Sequence, residues 1–149
     1  MNFNEELSRC LCDASYLPPQ SVNNTTVSTP VIDMLQFGRV QFHILAGTLG
    51  AAGVIAGQLQ SSPDHFATIH NMTGATISNI STNNTVTTVE VRSDQVQYQN
   101  PGDRYARLSL TGSGNALTFG CLGLGACSPQ GPASQQTNTS IVTAVICST

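Results

Sequence analysis

The sequence predicts an all-β fold: an antiparallel β-sandwich of Greek-key or jelly-roll-like kind, preceded by a short N-terminal helix or extended arm. Three observations predict it. Apolar and polar residues alternate in several short runs, the period-2 signature of half-buried strands. The runs recur about every ten residues and are separated by Gly, Pro and Asn turns, as in sandwiches and barrels. The chain has 149 residues, enough for one domain that buries roughly 70% of its unfolded surface without metal or disulfide support.

Residues 1–30 read as the helix or arm and residues 31–149 as the sandwich domain. Asn4 suits an N-cap for a helix to about Ala14. Glu5 and Glu6 then fall in its first turn, where the helix dipole favours negative charge. Leu7, Cys10, Leu11 and Ala14 share one face, and Pro18-Pro19 ends the helix. The following polar stretch to Pro30 reads as a first edge strand or as an arm that docks on a partner.

In the domain, Val40, Phe42, Ile44 and Ala46 alternate with Gln41, His43, Leu45 and Gly47. Gly50-Ala51-Ala52-Gly53 turns the chain. Val54–Gln60 returns with Ile55 and Leu59 on one face and Gln58 and Gln60 on the other. Ser61-Ser62-Pro63-Asp64 closes that strand. Phe66 and Ile69 read as inward anchors of a short strand before Gly74, and Ile77–Asn79 as another. After the Asn83-Asn84 turn, Val86–Arg92 places Val89 and Val91 inward. Asn100-Pro101-Gly102-Asp103 is a strong turn, and Ala106, Leu108 and Leu110 form the inner face of the next strand. Leu117, Phe119 and Cys121 begin another strand, and Ile141–Cys147 is the last. The stretch Gly123–Asn138 reads as a long loop, either a mobile tip or a contact element. The predicted core includes Phe42, Leu59, Phe66, Val89, Leu108 and Phe119.

Only 9% of residues are charged and there is no lysine, against about a quarter charged in an ordinary soluble domain. Charge, lysine above all, is what usually keeps exposed sheet edges from sticking. A strand-rich chain without it implies edges covered by neighbours, which points to an assembly component. With net charge −3 and five arginines, no nucleic-acid footprint is present. No basic amphipathic membrane helix, apolar span or secretory signal is visible, so synthesis in a cytosol is expected. The six Asn-x-Ser/Thr sequons, at Asn23, Asn24, Asn71, Asn79, Asn83 and Asn138, are then expected by chance in a chain this rich in Asn and Thr.

No catalytic, cofactor-binding or metal-binding residue is expected. No Ser lies in a G-x-S-x-G elbow, and Gly112-Ser113-Gly114 is a glycine-flanked turn. Asp64, His65 and His70 invite a metal reading, but a five-residue spacing in a strand puts the two histidines on opposite faces. Cys10-x-Cys12 is tighter than zinc spacing. A disulfide between Cys121 and Cys127, or between either and Cys147, is conceivable across neighbouring strands. Glu90, Asp94 and Asp103 lie near Arg92, Arg104 and Arg107 in sequence, as ordinary ion pairs would. The Gly-rich Gly47–Gly57 stretch lacks the Lys and Ser/Thr of a phosphate loop, and a chain with no Trp and three Tyr is poor in sugar-stacking platforms.

One order of residues is more specific. Ile32-Asp33-Met34-Leu35-Gln36-Phe37-Gly38-Arg39-Val40-Gln41-Phe42 is followed by a Gly/Ala turn and Gln58-Leu59-Gln60-Ser61-Ser62-Pro63-Asp64. Then come Phe66, Ile69, Gly74-Ala75 and Arg104-Tyr105-Ala106-Arg107-Leu108. Over roughly Val31–Thr111 this resembles the small β-sandwich structural proteins of tailed-bacteriophage virions, the capsid decoration or cement type among them. The resemblance implies a non-enzymatic protein on the capsid exterior, assembled from the host cytoplasm. Its implied partners are the major capsid protein and neighbouring copies of itself, as a homo-oligomer on the lattice, with no cofactor, nucleic acid or membrane. A head fibre, tail component or host-surface adhesin is the alternative, with residues 123–138 as its contact tip. A non-viral β-domain with a small-ligand or catalytic role is the third reading.

Overall fold

The computed structural model describes residues 11–127. They form nine strands and one helix: β1 (Leu11–Val22), β2 (Thr25–Ser28), β3 (Ile32–Asp33), β4 (Phe37–Leu49), β5 (Val54–Ser62), β6 (His70–Ile80), β7 (Thr85–Arg92), α1 (Ser93–Gln99), β8 (Tyr105–Ser113) and β9 (Leu117–Cys127). Two antiparallel sheets pack face to face. The first runs β1-β9-β4-β7, and the second β2-β8-β5-β6 with β3 also on β8. The chain crosses between the sheets at nearly every connection. With β2 and β3 taken as one strand broken at Thr29-Pro30, the topology is that of an eight-stranded jelly roll.

The break is stitched rather than frayed. Thr29 N donates to Leu108 O (2.9 Å), and its hydroxyl accepts from Leu108 N (3.0 Å). The side chain thus stands in for a ladder carbonyl where Pro30 cannot continue as a donor.

The core lies between the sheets and follows the predicted alternation. Val40, Phe42, Ile44, Ile55, Leu59, Ala106, Leu108, Leu110 and Leu117 are fully buried, with Phe119 and Cys121 beside them. The turns at 50–53 and 100–103 form as expected. Gly53 N donates to Gly50 O, and Asp103 N donates to Asn100 O across Pro101 and the positive-φ Gly102.

Several expectations are corrected. Leu11–Ala14, the predicted end of the helix, are strand, whereas the stretch to Pro30 does hold edge strand, as one of its two readings had it: β1 pairs with β9 and β2 with β8. β1 hides its period because register shifts at Asp13/Ser15 and Leu17/Gln20 each swap the inward parity. Cys12 and Ala14 face in, then Ser15 and Leu17, then Val22. The remainder of the predicted helix, residues 1–10, lies outside the described residues, as do residues 128–138 of the predicted loop and the Ile141–Cys147 strand.

Residues 123–127 belong to β9, not to a loop. Their glycines are packing positions. A Cβ on Gly125 would lie 2.4 Å from the Phe37 ring, and one on Gly123 would lie 3.3 Å from Phe42. Phe66 and Ile69 sit in the β5–β6 connection, half-buried and exposed respectively, and a single strand β6 runs from His70 through Gly74 to Ile80. Val89 points inward but is only half-buried. α1 was not expected, because Val96 is its single buried residue and leaves no helical period to read.

Phe42→Ala is expected to lower unfolding free energy by about 3–5 kcal/mol, as for a fully buried ring. Phe66→Ala should cost about 1 kcal/mol, since that half-exposed ring loses mainly its contact with Arg107. Urea titrations of the two variants check the difference.

Candidate interaction surfaces

The two outer faces of the sandwich differ in kind. On the second sheet, outward side chains bond to one another. Arg107 Nε donates to Gln60 Oε1 (3.0 Å), and Gln60 Nε2 donates to Asn71 Oδ1 (3.1 Å). Thr76 Oγ1 donates to Gln58 Oε1 (2.6 Å), and the Thr26 and Thr111 hydroxyls share a bond of 2.8 Å. This face satisfies its own polar groups.

The first sheet turns an apolar band outward. β4 presents Arg39, Gln41, His43 and Leu45; beside them β9 presents Ala126, Leu124, Leu122 and Gly120, and β7 presents Arg92, Glu90, Thr88 and Val86. Tyr16 of β1 flanks Leu122. Val86 is 60% exposed, and Leu45 is 44% exposed. Of the charges around the band, Arg39 pairs with Glu90 (3.1 Å) and Arg92 with Asp94 (2.9 Å), while Asp13 of β1 lies beside Leu124 outside either pair. His43 Nε2, in the middle, is buried and finds no hydrogen-bond partner among the described residues. A contiguous apolar face with little charge is the physical form of a surface that excludes water against a neighbour.

One end of the sandwich is built from the β5–β6 connection. Ser62 Oγ accepts from Asp64 N (3.1 Å) and Phe66 N (2.8 Å). Asp64 accepts from Thr68 N (2.7 Å), Thr68 Oγ1 (2.8 Å) and Ser62 Oγ (2.8 Å), bonds that hold its carboxyl below the ordinary range. The knot forces His65 and Phe66 into left-handed backbone, φ 55° and 72°. The His65 ring then lies 3.7 Å from that of Tyr105, and Phe66 lies under Arg107 at 4.1 Å.

The sequence candidates for chemistry come together only in part. Asp103 is buried, receives Ser61 Oγ (2.6 Å), and faces His70 Nδ1 (2.9 Å); Asn100 Nδ2 donates to Ser61 Oγ (3.0 Å). The carboxylate stands between the serine and the histidine. The imidazole therefore cannot draw a proton from Ser61, whose hydroxyl is buried. The arrangement ties the end of β5 to the start of β6 and to the 100–103 turn. Asp64 and His65 point elsewhere, and among the described residues no three His, Cys, Asp or Glu converge as metal ligands. Cys121 is a buried free thiol, not part of a bridge, and burial pushes its pKa up to about 12.

The ion pairs are partly those expected. Arg92 does pair with Asp94, but Arg104 grips Asp33 of β3 through two of its guanidinium nitrogens, Nε to Oδ1 at 2.8 Å and Nη2 to Oδ2. Asp33 Oδ1 also accepts from Leu35 N (3.0 Å), and Arg104 above all holds its carboxyl below the ordinary range. A cleft of about 410 Å³ opens beside this pair, between Met34, Leu35 and Phe37 and the α1 residues Ser93, Asp94 and Gln97. The charges at its rim, Arg104 and Asp94, are already engaged. The signal for the Asp33–Arg104 pair, 71 residues apart in sequence, is absent from local spacing.

The chain is similar in structure to two solved chains. One is from "Structure of infectious bursal disease virus Gt strain", with TM-score 0.47 and 12% identity, matching 83% of this chain and 33% of that one. The other is from "Structure of infectious bursal disease virus Gx strain", with TM-score 0.47 and 10% identity, matching 83% and 34%. The chain thus spans about a third of the length of these neighbours. No protein-family model and no curated protein sequence matches it. Among the described residues no helix is long and apolar enough to cross a membrane.

Asp33 has a folded-state pKa below its ordinary 3.8, so its stabilisation is complete above that value and is lost as pH falls through the folded pKa. Asp33→Asn should therefore reduce stability by about 1 kcal/mol at neutral pH. The deficit should vanish in acid, as read from urea midpoints between pH 7 and pH 2. The Cys121 thiol should resist alkylation in the folded protein and react on unfolding, followed by mass spectrometry with and without denaturant.

Proposed function

We propose that this chain is a non-enzymatic structural protein of a virion, a decoration or cement protein that binds and stabilises the major capsid lattice. The observation that carries the reading is the outer face of the first sheet. Tyr16, Leu45, Val86, Leu122 and Leu124 make a band of apolar contact, beside which Arg39 cancels Glu90 and Arg92 cancels Asp94. The fold supports it, since jelly rolls recur in capsid proteins, though in lectins and cupins as well. The resemblance of residues 31–111 to tailed-phage virion proteins supplies the lattice as partner.

The energetics of such attachment are modest for each copy and large for the particle. Many copies on a symmetric shell turn weak contacts into firm retention through effective concentration. Attachment through apolar area and amide or hydroxyl bonds should respond weakly to salt, because little of it is screened Coulomb energy.

The test is addition of the purified chain to undecorated shells, followed by heating and by sedimentation. Decorated shells should melt at higher temperature. Leu45→Glu and Leu122→Glu should each weaken retention about tenfold or more by placing a charge in the contact. Equal melting of both shells, or equal retention of all variants, would reject the reading.

A further inference from the structure

Among the described residues four strand edges end the two sheets, and three are blunted. β1 carries Pro18 and Pro19 at a register shift. The β2–β3 edge consists of four and two residues, broken at Thr29-Pro30. β6 contains the positive-φ Gly74 and is paired irregularly in two places. Each of these devices discourages another strand from adding.

β7 has none of them. Its eight residues, Thr85-Val86-Thr87-Thr88-Val89-Glu90-Val91-Arg92, pair with β4 in unbroken register and include no Pro, Gly or Lys. Among the described residues β4 is its only ladder partner, so its other side presents unpaired backbone donors and acceptors. Val89 faces the core yet stays half-buried at this open side. Both of its charges are already matched, Glu90 by Arg39 and Arg92 by Asp94, so nothing at the edge repels a like edge.

We propose that β7 is a homodimer edge, on which β7 of a second copy adds antiparallel across a two-fold axis. The pleat limits the register. Val86, Thr88, Glu90 and Arg92 are exposed, whereas Thr85, Thr87 and Val89 are half-buried and Val91 is buried. The two sets must each meet their own kind. Centring the axis on Val89 satisfies this. Val89 then faces Val89, completing the burial that one copy leaves open. Thr88 faces Glu90, Val86 faces Arg92, and no like charges stand opposite. The ladder stops at Arg92, where α1 begins.

Such an isologous contact joins two four-stranded sheets into one and makes their apolar outer faces continuous. It does not need the capsid reading, because it is tested with the full chain alone in solution. Sedimentation equilibrium should show a monomer–dimer equilibrium. Because each cross-strand pair occurs twice, Thr88→Glu, opposite Glu90, should weaken the dimer about tenfold, and Thr88→Lys should tighten it at low salt. Thr88 is exposed, so at concentrations low enough to leave the chain monomeric both variants should melt like the parent. The alternate backbone amides of residues 86–92 that point away from β4 should exchange more slowly as protein concentration rises. A monomer at all concentrations, or a dimer indifferent to both Thr88 variants, would overturn the proposal. So would protection, in a monomer, of the β7 amides that point away from β4, which would mean that another part of the same chain closes the edge.

Discussion

The sandwich depends on aromatic rings from β4 lying against a strand that has no side chains to oppose them. Phe37 and Phe42 occupy the space over Gly125 and Gly123, and a methyl group at Gly125 would collide with the Phe37 ring. The same close fit recurs beyond β4, where a Cβ on Gly112 would meet Leu117 at 2.4 Å. Interiors packed at this density tolerate little change of volume. β9 is thereby fixed between β1 and β4, and its position sends Leu122 and Leu124 to the outside. The inner glycines and the outer leucines are two sides of one arrangement: bulk moved from the core side of the strand to the face that meets the surroundings.

The scarcity of charge has a structural counterpart. Where a larger complement of Lys and Glu would hydrate both faces, this molecule treats the faces differently. The second sheet consumes its polar groups in side-chain bonds among Gln58, Gln60, Asn71, Thr76 and Arg107. The first sheet sets Leu45, Val86, Leu122 and Leu124 among its outward polar groups and pairs Arg39 with Glu90 and Arg92 with Asp94. Rigidity at the end near β5 and β6 comes from a buried Asp103 held by Ser61 and His70, and from the Ser62–Asp64–Thr68 knot. These groups have the composition of catalytic sites but the connectivity of braces.

Much of the fold was legible because the central strands obey a simple period. β8 and the Val40–Ala46 stretch of β4 show it without interruption, and their inward residues are buried. The hairpin turns were legible from Gly, Pro and Asn. β1 was not, since two bulges reverse its parity and the surviving spacing of Leu7, Cys10, Leu11 and Ala14 imitates a helix. The end of β9 was not, because Gly123 and Gly125 read as turn residues when they are places of close approach. Phe66 was assigned inward on hydrophobicity alone, whereas the hydroxyl of Ser62 and the carboxylate of Asp64 pull its segment out of the sheet. Of the candidate surface, the composition pointed only to a scarcity of charge along the strand edges. Which face and which edge emerged only from pairings such as Leu45 with Gly120 and Val86, residues far apart in the chain.

The β1–β9 pairing places Leu11 directly beside Ala126, so the first and last described strands open at the same corner. A short peptide could bridge residues 11 and 127 without crossing the core, and the chain could be opened instead at the exposed Asn83-Asn84 turn. The jelly roll is in this sense a closed circuit whose starting point is interchangeable. Residues 11 and 127 thus lie at one pole of the sandwich, away from both broad flanks.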